Sequence, residues 1–257
     1  MNIIFDGLIQ VSISDSNGFI QINLNNPPVN ALSNQLIDEL YNVLNDINSN
    51  NQYKFLVITG SNKHFSAGAD LKERASMSKQ ETLVFLDKLN DCFDLLENLR
   101  IPTIAQIYGA VLGGGAELAL CCDIIVADSF LHEEKNFKIG FPETTIGIIP
   151  GAGGTYRIYR KMNPGIAKYW ILSGKIFSLE RALSDGFIDI VKAEDRDTLI
   201  ESLLYNSRTS LVAAKKSMNR CYLEVDSKKQ RLIELEEYKK TLDSPERKEA
   251  LKKYKRK

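Results

Sequence analysis

Strand-like apolar segments alternate with helix-like segments up to about residue 150, and this alternation constrains the fold more than any other feature. Residues 9–13 and 20–24 alternate apolar and polar side chains around a turn, which predicts a β-hairpin. Apolar residues recur at helical spacing over 33–48, and the apolar run that ends at Gly60 suits a buried parallel strand. Residues 78–81 match a capping box that opens a further helix. Strands that alternate with helices predict an α/β core.

Beyond residue 155 the strand pattern fades and helical spacing takes over. Further strands are predicted before that point, over 101–107 and 124–126, on either side of a glycine run. C-terminal helices are predicted over 165–172, 178–185, 195–223 and 228–254. The last of these carries an apolar stripe formed by Leu232, Leu235, Tyr238 and Leu242. We therefore predict a core over residues 1–194 and a helical C-terminal region over residues 195–257.

Composition and charge exclude several classes of protein. The 257 residues include 33 basic and 33 acidic side chains, and this balance argues against a dedicated nucleic-acid binder. No apolar run approaches the ~18 residues of a membrane span, and the N-terminus has no pattern of a signal or transit peptide. The cysteines are Cys92, Cys121, Cys122 and Cys221, and they include no C-x-x-C pair. This pattern indicates free thiols in a reducing compartment. We expect a cytoplasmic protein with no membrane partner.

Several familiar catalytic and cofactor motifs are missing from the sequence. His64 and His132 are the only histidines and lie far apart, which argues against a histidine-rich metal site. No G-x-S-x-G motif of a serine hydrolase occurs. The glycine-rich stretch 151–155 lacks the lysine of a P-loop, and Leu118 stands where a dinucleotide fingerprint needs its third glycine.

Two stretches of small residues are candidate ligand sites. Residues 64–70 follow a buried strand, and their small side chains allow a ligand to approach the backbone; a tight turn is the alternative interpretation. In the stretch 109–117, three glycines end a loop and open an apolar helix. The free N–H groups of that helix start could form an oxyanion hole or an anion site. Glu117 lies in the first turn, where its alternative role is to cap the helix.

A third stretch places a second carboxylate among apolar residues. Glu143 lies between two apolar segments, where a charged side chain loses solvation. A pair of carboxylates in an apolar pocket suits acid–base catalysis, because burial raises the pKa of a carboxyl group. The alternative is a salt bridge from Glu143 to Arg157 or Arg160.

The order and content of these stretches resemble the enoyl-CoA hydratase/isomerase (crotonase) superfamily over nearly the whole chain, with enoyl-CoA hydratase the nearest member. The matching motifs lie at residues 26–32, 66–72, 113–118, 142–143, 213–216 and 235–236. The resemblance implies a ββα spiral core with a C-terminal helical trimerisation region, and a homotrimer or a dimer of trimers. It also implies an acyl-CoA thioester substrate, with no metal or redox cofactor. The balanced charge separately predicts that nucleic acid is not a partner.

The resemblance assigns roles to individual residues. The backbone N–H groups of Ala69 and Gly114 correspond to the oxyanion hole, which stabilises the enolate-like charge of the reacting thioester. Glu117 and Glu143 correspond to the two catalytic glutamates of hydratases: Glu143 as chief proton donor to C2, and Glu117 as the group that orients and activates the water. The residues implied to contact CoA or substrate are Ser66, Ala67, Gly68, Asp70, Leu71, Lys72 and Gly113.

The implied reaction is the reversible addition of water to a trans-2-enoyl-CoA. Three alternatives stay open: a Δ3-Δ2-enoyl-CoA isomerase, which needs one carboxylate; a hydratase or dehydratase of branched or carrier-bound substrates; and, from another class, a non-catalytic protein that binds RNA or a protein partner. The polar segment 131–136 is predicted to be a surface loop, and the basic C-terminal tail either contacts CoA phosphates or is solvated.

Overall fold

The computed structural model describes residues 2–14, 18–128 and 134–252, and its α/β fold agrees with the prediction. The strands in these ranges are β1 (Asn2–Asp6), β2 (Ile9–Ile13), β3 (Phe19–Leu24), β4 (Phe55–Gly60), β5 (Thr103–Ile107), β6 (Ala110–Leu112), β7 (Ile124–Ala127), β8 (Lys138–Gly140) and β9 (Ile176–Phe177). The α-helices are α1 (Asn34–Ser49), α2 (Leu71–Ser76), α3 (Lys79–Glu97), α4 (Gly114–Leu120), α5 (Gly154–Lys161), α6 (Pro164–Ser173), α7 (Leu179–Ser184), α8 (Ala193–Tyr205), α9 (Arg208–Tyr222), α10 (Ser227–Thr241) and α11 (Pro245–Lys252).

The strands form a large sheet and a small one. The large sheet has the order β1-β2-β3-β4-β5-β7. Its first three strands are antiparallel and include the predicted hairpin, in which Ile9 pairs with Leu24. The pairs from β3 to β7 are parallel, and the small sheet has the order β6-β8-β9. The start of α4 follows directly from β6, so the small sheet fixes the position of the glycine run.

Local signals explain where the helices of the core begin. The side chain of Ser33 accepts a hydrogen bond from Leu36 N and caps α1, whose apolar face is buried. The predicted capping box is present at α3, where Ser78 and Glu81 bond to each other's backbone N–H groups. Burial of these two apolar faces against the sheet contributes roughly 1.5–3 kcal/mol for each large side chain.

Two of the C-terminal helices, α8 and α9, pack on the large sheet. Phe55, Ile104 and Val126 form a second apolar cluster with Leu203 of α8. Lys215 of α9 also pairs with Asp123 at 2.8 Å and donates to the carbonyl oxygen of Ile101. The helical region therefore shares packing with the sheet, and the division at residues 194 and 195 stays a prediction.

Two of the predicted C-terminal helices are each divided in two. The helix predicted over 195–223 is interrupted after Tyr205, because Ser207 caps a new helix, α9. The helix predicted over 228–254 ends at Thr241, and Pro245 begins α11. The predicted apolar stripe of α10 does not enter the core, since Leu232, Leu235 and Tyr238 are exposed and Leu242 is only partly buried.

Parts of two predicted surface features lie outside the described residues. The parts outside the described residues are 131–133 of the polar segment and 253–257 of the basic tail. Residues 134–136 of the polar segment form a single 3-10 turn. Within the described ranges, every helix is too short or too polar to cross a bilayer.

Candidate active site

Isolated parallel bridges join the predicted site loop 66–72 to two neighbouring segments. Ser66 pairs with Val111, and Leu32 pairs with Ala69. The buried Asn30 holds the same region, because its side-chain amide donates to the carbonyl oxygens of three residues between 61 and 65. The Ser66 hydroxyl donates to Asn30 O at 2.7 Å and accepts from Gly68 N, so this buried side chain organises the loop.

A glycine allows the loop 66–72 and the glycine run to approach each other closely. Gly68 has a φ of +93°, and a Cβ atom there would lie 2.6 Å from Leu112 O and 3.1 Å from Gly114 N. A Cβ atom on Gly114 would lie 3.6 Å from Ala69 N. The amides of Ala69 and Gly114 therefore lie side by side, and neither donates a hydrogen bond within the described part of the chain. Two neighbouring free amides suit the stabilisation of one developing oxyanion.

Glu117 lies in the first turn of α4 and is almost completely buried, with 3% of its surface exposed. Its Oε1 accepts hydrogen bonds from Ala152 N and Gly154 N, each at 2.8 Å. The alternative that Glu117 caps its own helix is therefore wrong. Burial raises the pKa of this carboxyl group, while the two hydrogen bonds and the charge of Arg157 act in the opposite direction.

Glu143 lies on the 3-10 turn Pro142–Ile146 and faces the glycine run. A Cβ atom on Gly113 would lie 3.0 Å from its Oε1. Its Oε2 is buried, and no donor in the described ranges reaches it. Burial raises the pKa of Glu143 to about 7, and the charge of Glu117 adds to this increase. A carboxyl group with that pKa can give and take a proton near neutral pH.

The alternative of a salt bridge to Glu143 is wrong. Arg157 Nη2 binds Asp94 at 2.5 Å, and its Nε binds Glu97 at 2.8 Å. Arg160 also binds Glu97, at 2.7 Å. Both arginines are therefore engaged by carboxylates of α3, which leaves Glu143 without a counter-ion in the described chain.

Most of the predicted site residues line one cavity of about 920 Å³. They are Ala67, Gly68, Ala69, Leu71, Gly113, Gly114, Glu117 and Glu143. The remaining three do not line it. Ser66 is buried in the loop, and Asp70 caps α2 by accepting hydrogen bonds from Lys72 N and Glu73 N. Lys72 is exposed in the first turn of α2.

A further part of the cavity wall contains residues that the sequence did not assign to the site, although Leu86 and Leu89 belong to the apolar face predicted for α3. Phe85, Leu86 and Leu89 of α3 make this wall apolar, and Arg74 of α2 is its one basic residue among the described lining residues. The helical period of α3 predicted a buried face but not which residues of that face would border a cavity. For Arg74 the sequence offers no signal, because its surroundings arise from the contact between two helices.

Comparison with known proteins agrees with this geometry. A family model described as enoyl-CoA hydratase/isomerase matches residues 14–257. The chain belongs to the enoyl-CoA hydratase/isomerase family. Membership confirms the predicted superfamily, and it makes the chain an enzyme of the enoyl-CoA hydratase kind, a hydro-lyase.

Individual members of the family match over most of their length. The Arabidopsis thaliana protein "Probable enoyl-CoA hydratase 2, mitochondrial" is 34% identical over 253 residues, which cover 96% of this chain and 82% of that protein. The Escherichia coli (strain K12) 2,3-dehydroadipyl-CoA hydratase is 34% identical over 215 residues, with 81% of each chain covered. A crystal structure of enoyl-CoA hydratase from Bacillus anthracis superposes with a TM-score of 0.89 at 32% identity, covering 97% of this chain and 96% of that one. The crotonase fold of the core is thereby confirmed.

Proposed function

We propose that the enzyme catalyses the reversible syn addition of water to a trans-2-enoyl-CoA, giving a 3-hydroxyacyl-CoA. The observation that carries the proposal is the pair of carboxylates, Glu117 and Glu143, that face one cavity beside two free backbone amides. Addition of water across a conjugated double bond needs one group to deprotonate the water and one to protonate the neighbouring carbon. It also needs donors for the charge that develops on the thioester oxygen.

The proposed oxyanion hole consists of the amides of Ala69 and Gly114. The thioester oxygen would accept both N–H groups, and charge that moves onto this oxygen during water addition is then stabilised without reorganisation of the site. The rest of the CoA would follow the loop 66–72, as family resemblance implies. Lys72, which is exposed at the end of this loop, is placed where a phosphate could reach it from solvent.

The two carboxylates differ in their surroundings, and this difference supports different roles. Glu117 is fixed by two backbone donors on Oε1, so it is suited to orient a water molecule and accept its proton. No donor in the described part of the chain reaches the Oε2 of Glu143, and the pKa of this group is raised to about 7. Glu143 is therefore suited to carry a proton and deliver it to C2.

The second carboxylate favours the hydratase over a Δ3-Δ2-enoyl-CoA isomerase, since moving a double bond needs only one group that carries a proton. The proposed chemistry uses water and protons alone, so we expect no metal or redox cofactor. The names of the relatives do not agree on one acyl group, and a branched or carrier-bound substrate remains the second candidate. All four cysteines are free thiols, which supports the proposed cytoplasmic location.

The test is spectrophotometric. Purified enzyme is mixed with crotonyl-CoA, and loss of the absorbance of the conjugated enoyl thioester is followed. Rapid loss supports hydration, whereas an isomerase would instead create conjugation from a trans-3-enoyl-CoA. If a purified, folded enzyme hydrates neither crotonyl-CoA nor branched and carrier-bound enoyl thioesters, the proposal is wrong.

The pH dependence of hydration should show the raised pKa of Glu143. The active enzyme needs one proton on the carboxylate pair, so kcat/KM is expected to fall as pH rises above about 7, where Glu143 loses its proton. The net reaction takes up no proton, so dehydration of the 3-hydroxyacyl-CoA should fall in the same range. Initial rates from pH 6 to 9 would check this, and a profile that is flat up to pH 9 would contradict it.

We also propose that the enzyme is a homotrimer or a dimer of trimers. The outer surface of α9, α10 and their connection exposes large apolar side chains; they are Met218, Tyr222, Leu223, Val225, Leu232, Leu235 and Tyr238. Such a patch is typical of a surface that contacts another subunit. Light scattering should therefore give at least three times the chain mass of 28.9 kDa. Leu232→Glu should lower the measured mass, while Lys228→Glu on the same helix should not.

A further inference from the structure

One basic side chain in the active-site cavity forms no ion pair with any residue that the structure describes. Arg74 of α2 lines the cavity and places its guanidinium 4.8 Å from the centre of the Phe85 ring. Its Nη1 is buried, and nothing within the described chain accepts a hydrogen bond from it. The neighbouring carboxylate of Glu73 is engaged elsewhere, since it accepts from the backbone N and the side-chain amide of Asn34 at 3.0 and 2.9 Å.

Arg157, a buried arginine near the site, shows how this chain satisfies a guanidinium group elsewhere. Arg157 binds Asp94, Glu97 and the carbonyl oxygen of Ala152, so each of its three nitrogens has an acceptor. An unpaired guanidinium nitrogen in an apolar wall is unfavourable, because it loses hydration without gaining an acceptor. Burial accordingly lowers the pKa of Arg74, and the nearby charge of Glu73 offsets only part of this effect. A ligand that brings an acceptor to this wall would remove the penalty.

The position of Arg74 indicates that it contacts the acyl group of a ligand rather than the phosphates of CoA. Phosphates are strongly hydrated and favour the exposed side of the loop 66–72, where Lys72 lies. The Nη1 of Arg74 is instead enclosed against Phe85, on the same wall as Leu86 and Leu89. An acyl chain can lie along this apolar wall, and a negative charge at its far end would meet the guanidinium.

We propose that Arg74 binds a carboxylate at the far end of the acyl chain, so that the preferred substrates are trans-2-enoyl-CoA thioesters of dicarboxylic acids. The proposal rests on the proposed function for its reaction, but it concerns the acyl group alone. Arginine suits this task because its planar guanidinium can donate two parallel hydrogen bonds to one carboxylate.

The experiment compares acids with uncharged substrates of the same shape. Glutaconyl-CoA is paired with 5-methylhex-2-enoyl-CoA, in which an isopropyl group replaces the carboxylate; the next longer pair is 5-carboxypent-2-enoyl-CoA and 6-methylhept-2-enoyl-CoA. The readout is the ratio of kcat/KM for acid over isostere. It is expected to exceed 1 for at least one pair in the wild type and to fall roughly 10- to 100-fold in Arg74→Met, the range typical of a hydrogen bond to a charged group. Arg74→Lys keeps the charge and should retain part of the preference.

A matched control separates a specific contact from general attraction between charges. Lys79 is exposed at the start of α3, next to α2, and does not line the cavity. Lys79→Met removes the same charge and should leave the ratio unchanged. An equal loss for acid and isostere in Arg74→Met would overturn the proposal, since it would indicate a CoA contact or a damaged fold. A wild-type ratio of 1 or less for both pairs would also overturn it.

Binding of saturated thioesters distinguishes failure of this proposal from failure of the proposed reaction. Calorimetry with glutaryl-CoA and 5-methylhexanoyl-CoA, and with the longer pair adipyl-CoA and 6-methylheptanoyl-CoA, measures the preference for the carboxylate without any chemical step. A preference that Arg74→Met abolishes would support the role of Arg74 even if no enoyl thioester were hydrated, in which case only the hydratase proposal would fail. Equal binding of acid and isostere within both pairs would overturn the role of Arg74, whatever the outcome for hydration.

Discussion

Glu143→Gln is expected to lower kcat for crotonyl-CoA hydration by about 10²–10⁴-fold, the range for loss of a general acid or base. Glutamine has nearly the same shape but cannot release a proton to C2. The Oε2 of Glu143 has no donor among the described residues, so the replacement disrupts no hydrogen bond of that atom. Stopped-flow or steady-state absorbance would measure the change. A variant with a rate close to that of the wild type would contradict the two-glutamate mechanism.

Thermal unfolding of the same variant tests whether the fold is intact. Burial raises the pKa of Glu143 from 4.5 to about 7, so the bound proton favours the folded state fully only below pH 4.5, and this contribution is lost progressively as pH rises to about 7. Glutamine does not titrate, so the stability of the variant does not fall over this pH range for that reason. We therefore expect Glu143→Gln to unfold at a higher temperature than the wild type at pH 8, with little difference at pH 5. A lower Tm at pH 8 would show that Glu143 stabilises the fold in its charged form.

Glu117→Gln is expected to reduce kcat by a similar factor, about 10²–10⁴. The carbonyl oxygen of glutamine can still accept the hydrogen bonds from Ala152 N and Gly154 N, so the contact with the segment before α5 is preserved. Only the charge and the ability to take a proton from water are lost. This substitution therefore separates a catalytic role from a structural one.

Glu117→Ala provides the comparison for that separation. It removes the acceptor as well as the charge and leaves two buried amides unsatisfied, which costs about 1–3 kcal/mol for each group. We expect Glu117→Ala to be both inactive and less stable, and Glu117→Gln to be inactive with a Tm near that of the wild type. Full activity in Glu117→Gln would mean that Glu117 serves only to anchor the chain.

Much of the fold could be predicted from the sequence because its signals are local. The alternation in β2 and β3, the apolar period of α1 and the capping box of α3 each lie within a few residues. The strands β6, β8 and β9 have only two or three residues, which is too short for a period to appear. The breaks before Ser207 and Pro245 were missed because an apolar period can continue through a short interruption.

The chemistry of the site was less accessible to sequence reasoning where it depends on distant contacts. Family resemblance brought the three motif stretches together, and they line one cavity as expected. The pairing of Arg157 with α3 rather than with Glu143 was not predicted, since the choice between carboxylates depends on how two helices pack. The unpaired state of Arg74 is likewise a property of the folded molecule.

The proposed oxyanion hole is made of peptide groups, and this has a consequence for how such an enzyme can change over evolutionary time. Among the substitutions available, only proline deletes the N–H group of Ala69 or Gly114, so the ability to hold an enolate is largely inherited with the backbone. The carboxylates and the acyl wall, by contrast, can each be altered by a single codon. A lineage built on this scaffold can therefore abandon hydration, or acquire a new acyl group, while keeping the most demanding part of its catalysis intact.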